Sequence, residues 1–152
     1  MLRSLRSILQ LGDFQNLRWL LEILIDIPIV WFLLIWMTLP NLLRWLDQPS
    51  KTRRPLSKKD SEQAALGWKY THFLIVRCLK VKNPCLLRSL VLFHLLRRRG
   101  LDSQIHFGIK RETHPLEGHS WLSLNGNHPL EQVDPQRIYL PIYSYPYEEK
   151  IP

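Results

Sequence analysis

Residues 83–100 leave little conformational choice, because strong signals bound an apolar run at both ends. Asn83 is a residue type that caps helices, and Pro84 suits the first helical position. At the other end, the arginines at positions 97–99 complement the helix dipole, and Gly100 can adopt the left-handed conformation that ends a helix. The run between these signals is apolar on nearly every side. We therefore predict a central helix that other elements cover.

The N-terminal part is the most apolar region of the chain, and residues 27–43 contain no charged side chain. As one helix this stretch would be about 25 Å long, slightly shorter than the roughly 30 Å hydrocarbon core of a bilayer. Pro28 and Pro40 interrupt it. Three interpretations stay open: buried helices or a partner-protein interface, a membrane span, and shallow interfacial binding. Membrane association would involve residues 19–46.

Changes in composition divide the chain into three parts. Residues 1–47 form an apolar helical segment, residues 48–59 a basic linker, and residues 60–152 the main domain. The formal charge of +8 favours acidic partners. The linker has no interleaved aromatic side chains to stack bases, so we expect no nucleic-acid partner. Ser57 followed by Asp60 resembles a capping box that begins an amphipathic helix.

Cysteine usage and the N-terminus both bear on the compartment. The chain has two cysteines, Cys78 and Cys85, which do not indicate a disulfide framework. Asp13, Glu22 and Asp26 interrupt the N-terminal apolar run, and no small-residue cleavage site follows it, so it lacks the order of a secretory signal. We expect a cytoplasmic protein, with membrane association as a further option.

After the central helix the hydrophobic period changes from 3.6 to 2. Alternation over residues 105–109 and 121–124 predicts two antiparallel strands. The pair Asn125-Gly126 is a hairpin turn signal, and residues 129–133 are expected to form a third strand. Residues 139–152 are rich in Tyr and Pro without clear periodicity. The predicted fold class is therefore α+β.

Cys85 falls at the second position of the predicted helix, where backbone amides and the helix dipole can stabilise a thiolate. The alternative is a small buried hydrophobic residue, which a lone cysteine usually is. The order of elements favours a catalytic role for Cys85: a cysteine begins a helix, strands follow, and His119 begins a strand. Papain-like enzymes require such a thiolate and base. His119 is the candidate base by position and by elimination, since His94 lies in mid-helix and the other histidines fit strands or loops.

Glu131 and Asp134 are the candidates for the acid that orients the imidazole. A three-residue turn with a bulge would pair Glu131 with Trp121, on the His119 face, whereas a two-residue turn would direct it away. Asp134 is the reserve, Gln132 could hold a neutral imidazole, and both acids could also be ordinary surface charges. No set of His and Cys residues has a zinc-ligand spacing, so we expect no metal and no cofactor.

These motifs together resemble a known family. The sequence Cys-Leu-Leu-Arg-Ser-Leu at residues 85–90, the run Leu-Leu-Arg-Arg-Arg-Gly at 95–100 and Gly-His-Ser-Trp-Leu at 118–122 look like the transglutaminase-like cysteine proteases of lasso-peptide biosynthesis, the microcin-processing leader peptidases. The likeness covers roughly residues 60–135. It implies a papain/transglutaminase-like core, with Cys85 as nucleophile and His119 as base.

The resemblance also implies a function. Members of that family remove the leader segment of a ribosomally made precursor peptide, and a separate lasso cyclase then closes the ring. The family commonly has Asp about where Glu131 stands, so the resemblance implies Glu131 as orienting acid and the substitution is a departure. Nothing in the chain resembles a leader-recognition module, which implies a separate leader-recognition protein as partner. Two rivals stay open, a transglutaminase or other acyltransferase on the same scaffold and a non-catalytic assembly factor.

Overall fold

A computed structural model describes residues 14–47, 57–110, 116–127, 130–131 and 133–147. Four α-helices and a three-stranded antiparallel sheet form the described structure, which confirms the α+β prediction. In chain order the elements are α1 (Phe14–Trp36), α2 (Leu39–Leu46), α3 (Lys58–Phe73), a π-helical turn (Leu74–Cys78), α4 (Pro84–Arg98), β1 (Ser103–Lys110), β2 (Gly118–Leu124), a 3-10 helix (Pro135–Arg137) and β3 (Tyr139–Tyr145).

Helix α4 lies at the centre of the fold, as its sequence predicted. Every residue from Leu87 to Arg97 is buried, so α4 is covered on all sides by the N-terminal helices, α3 and the sheet. Gly100 ends the helix with a φ of 72°, and Leu101 N donates to Leu96 O at 3.1 Å. Asn83 holds the N-cap position, but its side chain accepts no capping hydrogen bond.

The N-terminal helices share this core. Trp19, Ile23 and Val30 of α1 are buried in the same apolar cluster as Leu42 of α2 and the central residues of α4. The uncharged stretch of residues 27–43 is two helices, because α1 ends at Trp36 and a new helix begins at Leu39. Among the described residues, one helix segment, Leu17–Trp36, is long and apolar enough to cross a membrane. Core helices of soluble proteins and signal sequences also meet this criterion.

The three arginines at the end of α4 connect it to the N-terminal helices. Arg97 binds Asp47 with an Nε to Oδ1 distance of 2.6 Å, and Arg98 lies 3.7 Å from Asp26. Arg99 forms an ion pair with Glu22 and stacks on Trp19 with 3.7 Å between its guanidinium carbon and the ring centroid. Burial alone would raise the pKa of Glu22, but Arg18 and Arg99 hold it below its ordinary value. The arginines therefore neutralise acids of the N-terminal segment in addition to facing the helix dipole.

Helix α3 begins with the predicted capping box. Asp60 N donates to Ser57 Oγ at 3.2 Å, and Ser57 N donates to Asp60 Oδ2 at 3.0 Å. The helix ends in the π-helical turn Leu74–Cys78. Of the predicted basic linker, residues 48–56 lie outside the described part of the chain.

The sheet has the order β2-β1-β3. The two predicted strands are confirmed as β1 and β2, paired antiparallel, and the turn after β2 has positive φ at Asn125 and Gly126. The third strand predicted at residues 129–133 is wrong for its described residues 130, 131 and 133, which are turn or bend. The third strand is instead β3, in the segment without clear periodicity, and it pairs with the far edge of β1. A pairing with β1 that skips over β2 leaves no signal in local spacing.

Gly108 makes a close contact between strands possible. A Cβ at this position would lie 2.8 Å from the backbone oxygen of Leu140 and 2.8 Å from the indole ring of Trp121. Because a backbone atom cannot yield cheaply, we expect Gly108→Ala to lower the free energy of unfolding by about 1–3 kcal/mol.

Urea denaturation measures this effect, and Gly118→Ala is the matched control. The nearest atom to a Cβ at Gly118 is the oxygen of Gly108 at 3.9 Å, an ordinary contact. The control should change stability by less than about 0.5 kcal/mol. Equal losses in both variants would contradict the close contact.

Candidate active site

Cys85 is the second residue of α4, directly after Pro84, and its thiol is free and partly buried. The first amides of a helix have no partner within the helix. Because Asn83 does not cap them with its side chain, the first turn of α4 can offer backbone donors to a negative charge that forms beside Cys85.

One helical turn later, Arg88 provides a buried positive charge. Its side chain is 8% exposed, and its guanidinium carbon lies 4.8 Å from the centroid of the Trp68 ring. Nη1 donates to Nδ1 of His72 at 3.3 Å, and Nη2 lies 3.5 Å from Oε1 of Glu131. Helix α3 and the segment after β2 thus meet at one side chain of α4.

The electrostatic effects show which groups surround this cation. Burial lowers the pKa of Arg88, while the negative charges of Glu131 and Cys85 raise it. Burial, and then the charge of Arg88, lower the pKa of His119 below its ordinary value of 6.5. Arg88 therefore interacts electrostatically with all three predicted groups: Cys85, His119 and Glu131.

His119 is the second residue of β2 and pairs across the sheet with Gly108. Its imidazole is half-buried and stacks on Tyr139 of β3 with a centroid distance of 4.8 Å and an angle of 23°. Trp121 lies beside both rings, with centroid distances of 6.1 Å to His119 and 6.3 Å to Tyr139. Because Gly108 lacks a side chain, the Trp121 ring can lie against β1 in this aromatic group. The group limits the orientations open to the imidazole and keeps water from part of its surface.

Helix α4 contacts β2 directly beside His119. Ser89 Oγ donates to the carbonyl oxygen of Ser120 at 3.0 Å, and the two hydroxyl oxygens are 3.4 Å apart. Cys85 and Ser89 are four residues apart and share one face of α4. The nucleophile candidate therefore lies one turn along the helix from a hydrogen bond to the residue that follows the base candidate.

The thiol and the imidazole are not hydrogen-bonded to each other within the described residues. Side chains alternate along a strand, so His119 shares its side of β2 with Trp121, while the Ser120 hydroxyl faces α4. In unliganded active sites catalytic hydrogen bonds are often long and tighten only when substrate binds. Arg88 interacts electrostatically with both Cys85 and His119.

The two candidate acids have different surroundings. Glu131 faces the guanidinium of Arg88, whereas Asp134 is exposed and accepts a hydrogen bond from Gln136 N at 3.1 Å at the start of the 3-10 helix. The predicted strand pairing of Glu131 with Trp121 does not apply, because Glu131 is in a bend rather than a strand. Gln132 lies outside the described residues.

Two side chains of this site were not identified from the sequence. Arg88 had a signal, since it is a charged residue in an otherwise apolar helix, one turn from Cys85. Tyr139 had none, because its contact with His119 depends on the pairing of β3 with β1. Among the described residues, no three His, Cys, Asp or Glu side chains are grouped as a metal site.

Comparisons with known proteins bear on the whole unit. Residues 30–144 match a family model described as the transglutaminase-like superfamily. No curated protein and no solved structure matches the chain significantly. The matched range begins within α1 and ends within β3, so it contains α4, strands β1 and β2 and every residue of the candidate site.

Proposed function

The chain belongs to the transglutaminase-like superfamily, and from that membership we propose that it is a cysteine peptidase that removes the leader segment of a precursor peptide in lasso-peptide maturation. The observation that carries the proposal is the arrangement around Arg88. A free thiol at the start of a buried helix, a half-buried imidazole and a carboxylate all lie within electrostatic reach of one guanidinium. The substrate class rests on the resemblance of the motifs around Cys85, Gly100 and His119.

In the proposed reaction, the neutral imidazole of His119 accepts the proton of the Cys85 thiol. The sulfur attacks the scissile carbonyl carbon, and the backbone amide of Cys85 donates to the oxyanion. The C–N bond then breaks as protonated His119 gives its proton to the leaving amine. Water, deprotonated by His119, hydrolyses the thioester, which releases the leader carboxylate and restores the thiol.

Arg88 and Glu131 have supporting roles in this scheme. A positive charge near His119 favours the neutral imidazole, which is the direction in which burial and Arg88 move the pKa of His119. Glu131 balances the buried guanidinium, since removing one partner of a buried pair leaves the other uncompensated. Glu131 remains the first candidate to orient His119 and Asp134 the reserve, and a separate protein would recognise the leader.

The test is to identify the product formed from the genomically adjacent precursor peptide in the presence of the candidate leader-recognition protein. Mass spectrometry should detect two shorter peptides, a leader and a core with a free amino terminus. A product joined to an amine would assign the chain as an acyltransferase. An unchanged precursor would favour a non-catalytic assembly factor.

A further inference from the structure

The outer face of α1 is apolar along most of the helix. Its two acids do not lie on this face, since Glu22 pairs with Arg99 and Asp26 is buried beside Arg98. The exposed side chains include Leu21 (51%), Ile25 (59%), Phe32 (58%), Ile35 (69%) and Trp36 (73%). A continuous apolar face of this kind marks an interaction site.

An open groove extends this face. Its volume is about 700 Å³, and it lies between α1 and the π-helical turn. Pro28, Trp31 and Ile35 line one side, and Leu74 and Leu79 line the other. The groove is almost wholly apolar and is large enough to hold part of a lipid acyl chain.

The exposed charges within residues 74–82, the segment that forms one wall of the groove, are basic. Arg77, Lys80 and Lys82 are exposed around the lining residue Leu79, and residues 74–82 contain no acid. Two exposed tryptophans, Trp31 and Trp36, lie on the apolar face itself. Tryptophan is enriched at the boundary between lipid and water, and basic side chains are attracted to anionic headgroups. Apolar surface, tryptophans and a basic rim are complementary to the surface of an anionic bilayer.

We propose that the outer face of α1 and its basic rim bind an anionic membrane, with α1 lying in the plane of the interface. A spanning orientation is disfavoured by the inner face of the same helix. Trp19, Ile23 and Val30 are buried in the protein core, and Glu22 and Asp26 are paired with arginines of α4. Spanning would expose this core and place both acids in hydrocarbon, whereas interfacial binding keeps the fold intact.

The test is flotation of the full-length protein with vesicles of phosphatidylcholine, with and without phosphatidylglycerol. Wild type should bind the anionic vesicles more tightly than the neutral ones. Ile35→Glu should weaken binding about tenfold or more, because it places a charge in the contact. Ile142→Glu is the matched control, since Ile142 is 62% exposed on β3, and it should bind like wild type. Arg77→Gln with Lys82→Gln should lose about fivefold per removed charge on anionic vesicles alone.

Several results would overturn the proposal. These are no vesicle binding by wild type, equal binding to both vesicle types, or an Ile35→Glu variant that binds like Ile142→Glu. A wild-type dimer in size-exclusion chromatography that Ile35→Glu separates, without vesicle binding, would assign the face to a second copy of the chain. Peptide cleavage is measured in vesicle-free solution and membrane binding without the precursor, so the two proposals fail separately.

Discussion

Replacing Cys85 by alanine should abolish cleavage of the precursor peptide, with a loss on the order of 10⁶-fold, as for removal of the nucleophile in a covalent hydrolase. Without the thiol no thioester can form, and neither His119 nor the helix amides supply an alternative nucleophile. The rate of precursor loss, followed by liquid chromatography and mass spectrometry, measures the effect.

Cys78→Ala is the matched control for this experiment. Cys78 is the other cysteine of the chain, is exposed, and is the last residue of the π-helical turn. The Cys78→Ala variant should cleave the precursor at the wild-type rate. Retained activity in the Cys85 variant would exclude Cys85 as the nucleophile, and equal loss in both variants would mean that the two cysteines are not distinguished.

Replacing His119 by alanine should lower kcat/KM by about 10²–10⁴-fold, the usual contribution of general acid–base catalysis. The side chain is half-buried and stacks on Tyr139, so the thermal transition of the variant must be compared with that of wild type. Recovery of part of the activity on addition of free imidazole would identify a chemical role. An undiminished rate would exclude His119 as the base.

The pH dependence follows from the lowered pKa of His119. Burial and Arg88 disfavour the imidazolium, so the neutral, base-competent form persists below the ordinary value of 6.5 and is lost only as pH falls through the lower folded pKa. The acid limb of kcat/KM should therefore lie below pH 6.5 in wild type. Arg88→Met removes one of the two causes and should move that limb toward higher pH. An unmoved limb would mean that His119 does not control it.

Helix α4 could be predicted from sequence because its signals are local. Pro84 and Gly100 lie at its two ends, and Cys85 lies at its second position in the structure. Strands β1 and β2 could also be predicted from sequence, since their alternation and the Asn125-Gly126 turn are short-range features.

The parts that sequence did not reveal depend on contacts distant in the chain. β3 was not predicted because its pairing with β1 joins residues that are 29 to 40 positions apart in the chain. The Tyr139 contact with His119 depends on that pairing. The arginines that follow Leu96 looked like dipole partners, yet they also bind Asp47, Asp26 and Glu22 of the N-terminal helices. The meeting of α3, α4 and Glu131 at Arg88 is likewise a tertiary feature.

The central claim is that this chain hydrolyses a peptide bond, and product analysis in water enriched with oxygen-18 tests it most directly. The precursor is incubated with wild-type protein and its leader-recognition partner, and the masses of both peptide fragments are measured by mass spectrometry. Hydrolysis of a thioester predicts one heavy oxygen in the new carboxylate of the leader and none in the core peptide. A leader joined to an amine without heavy oxygen, or an intact precursor, would contradict the claim.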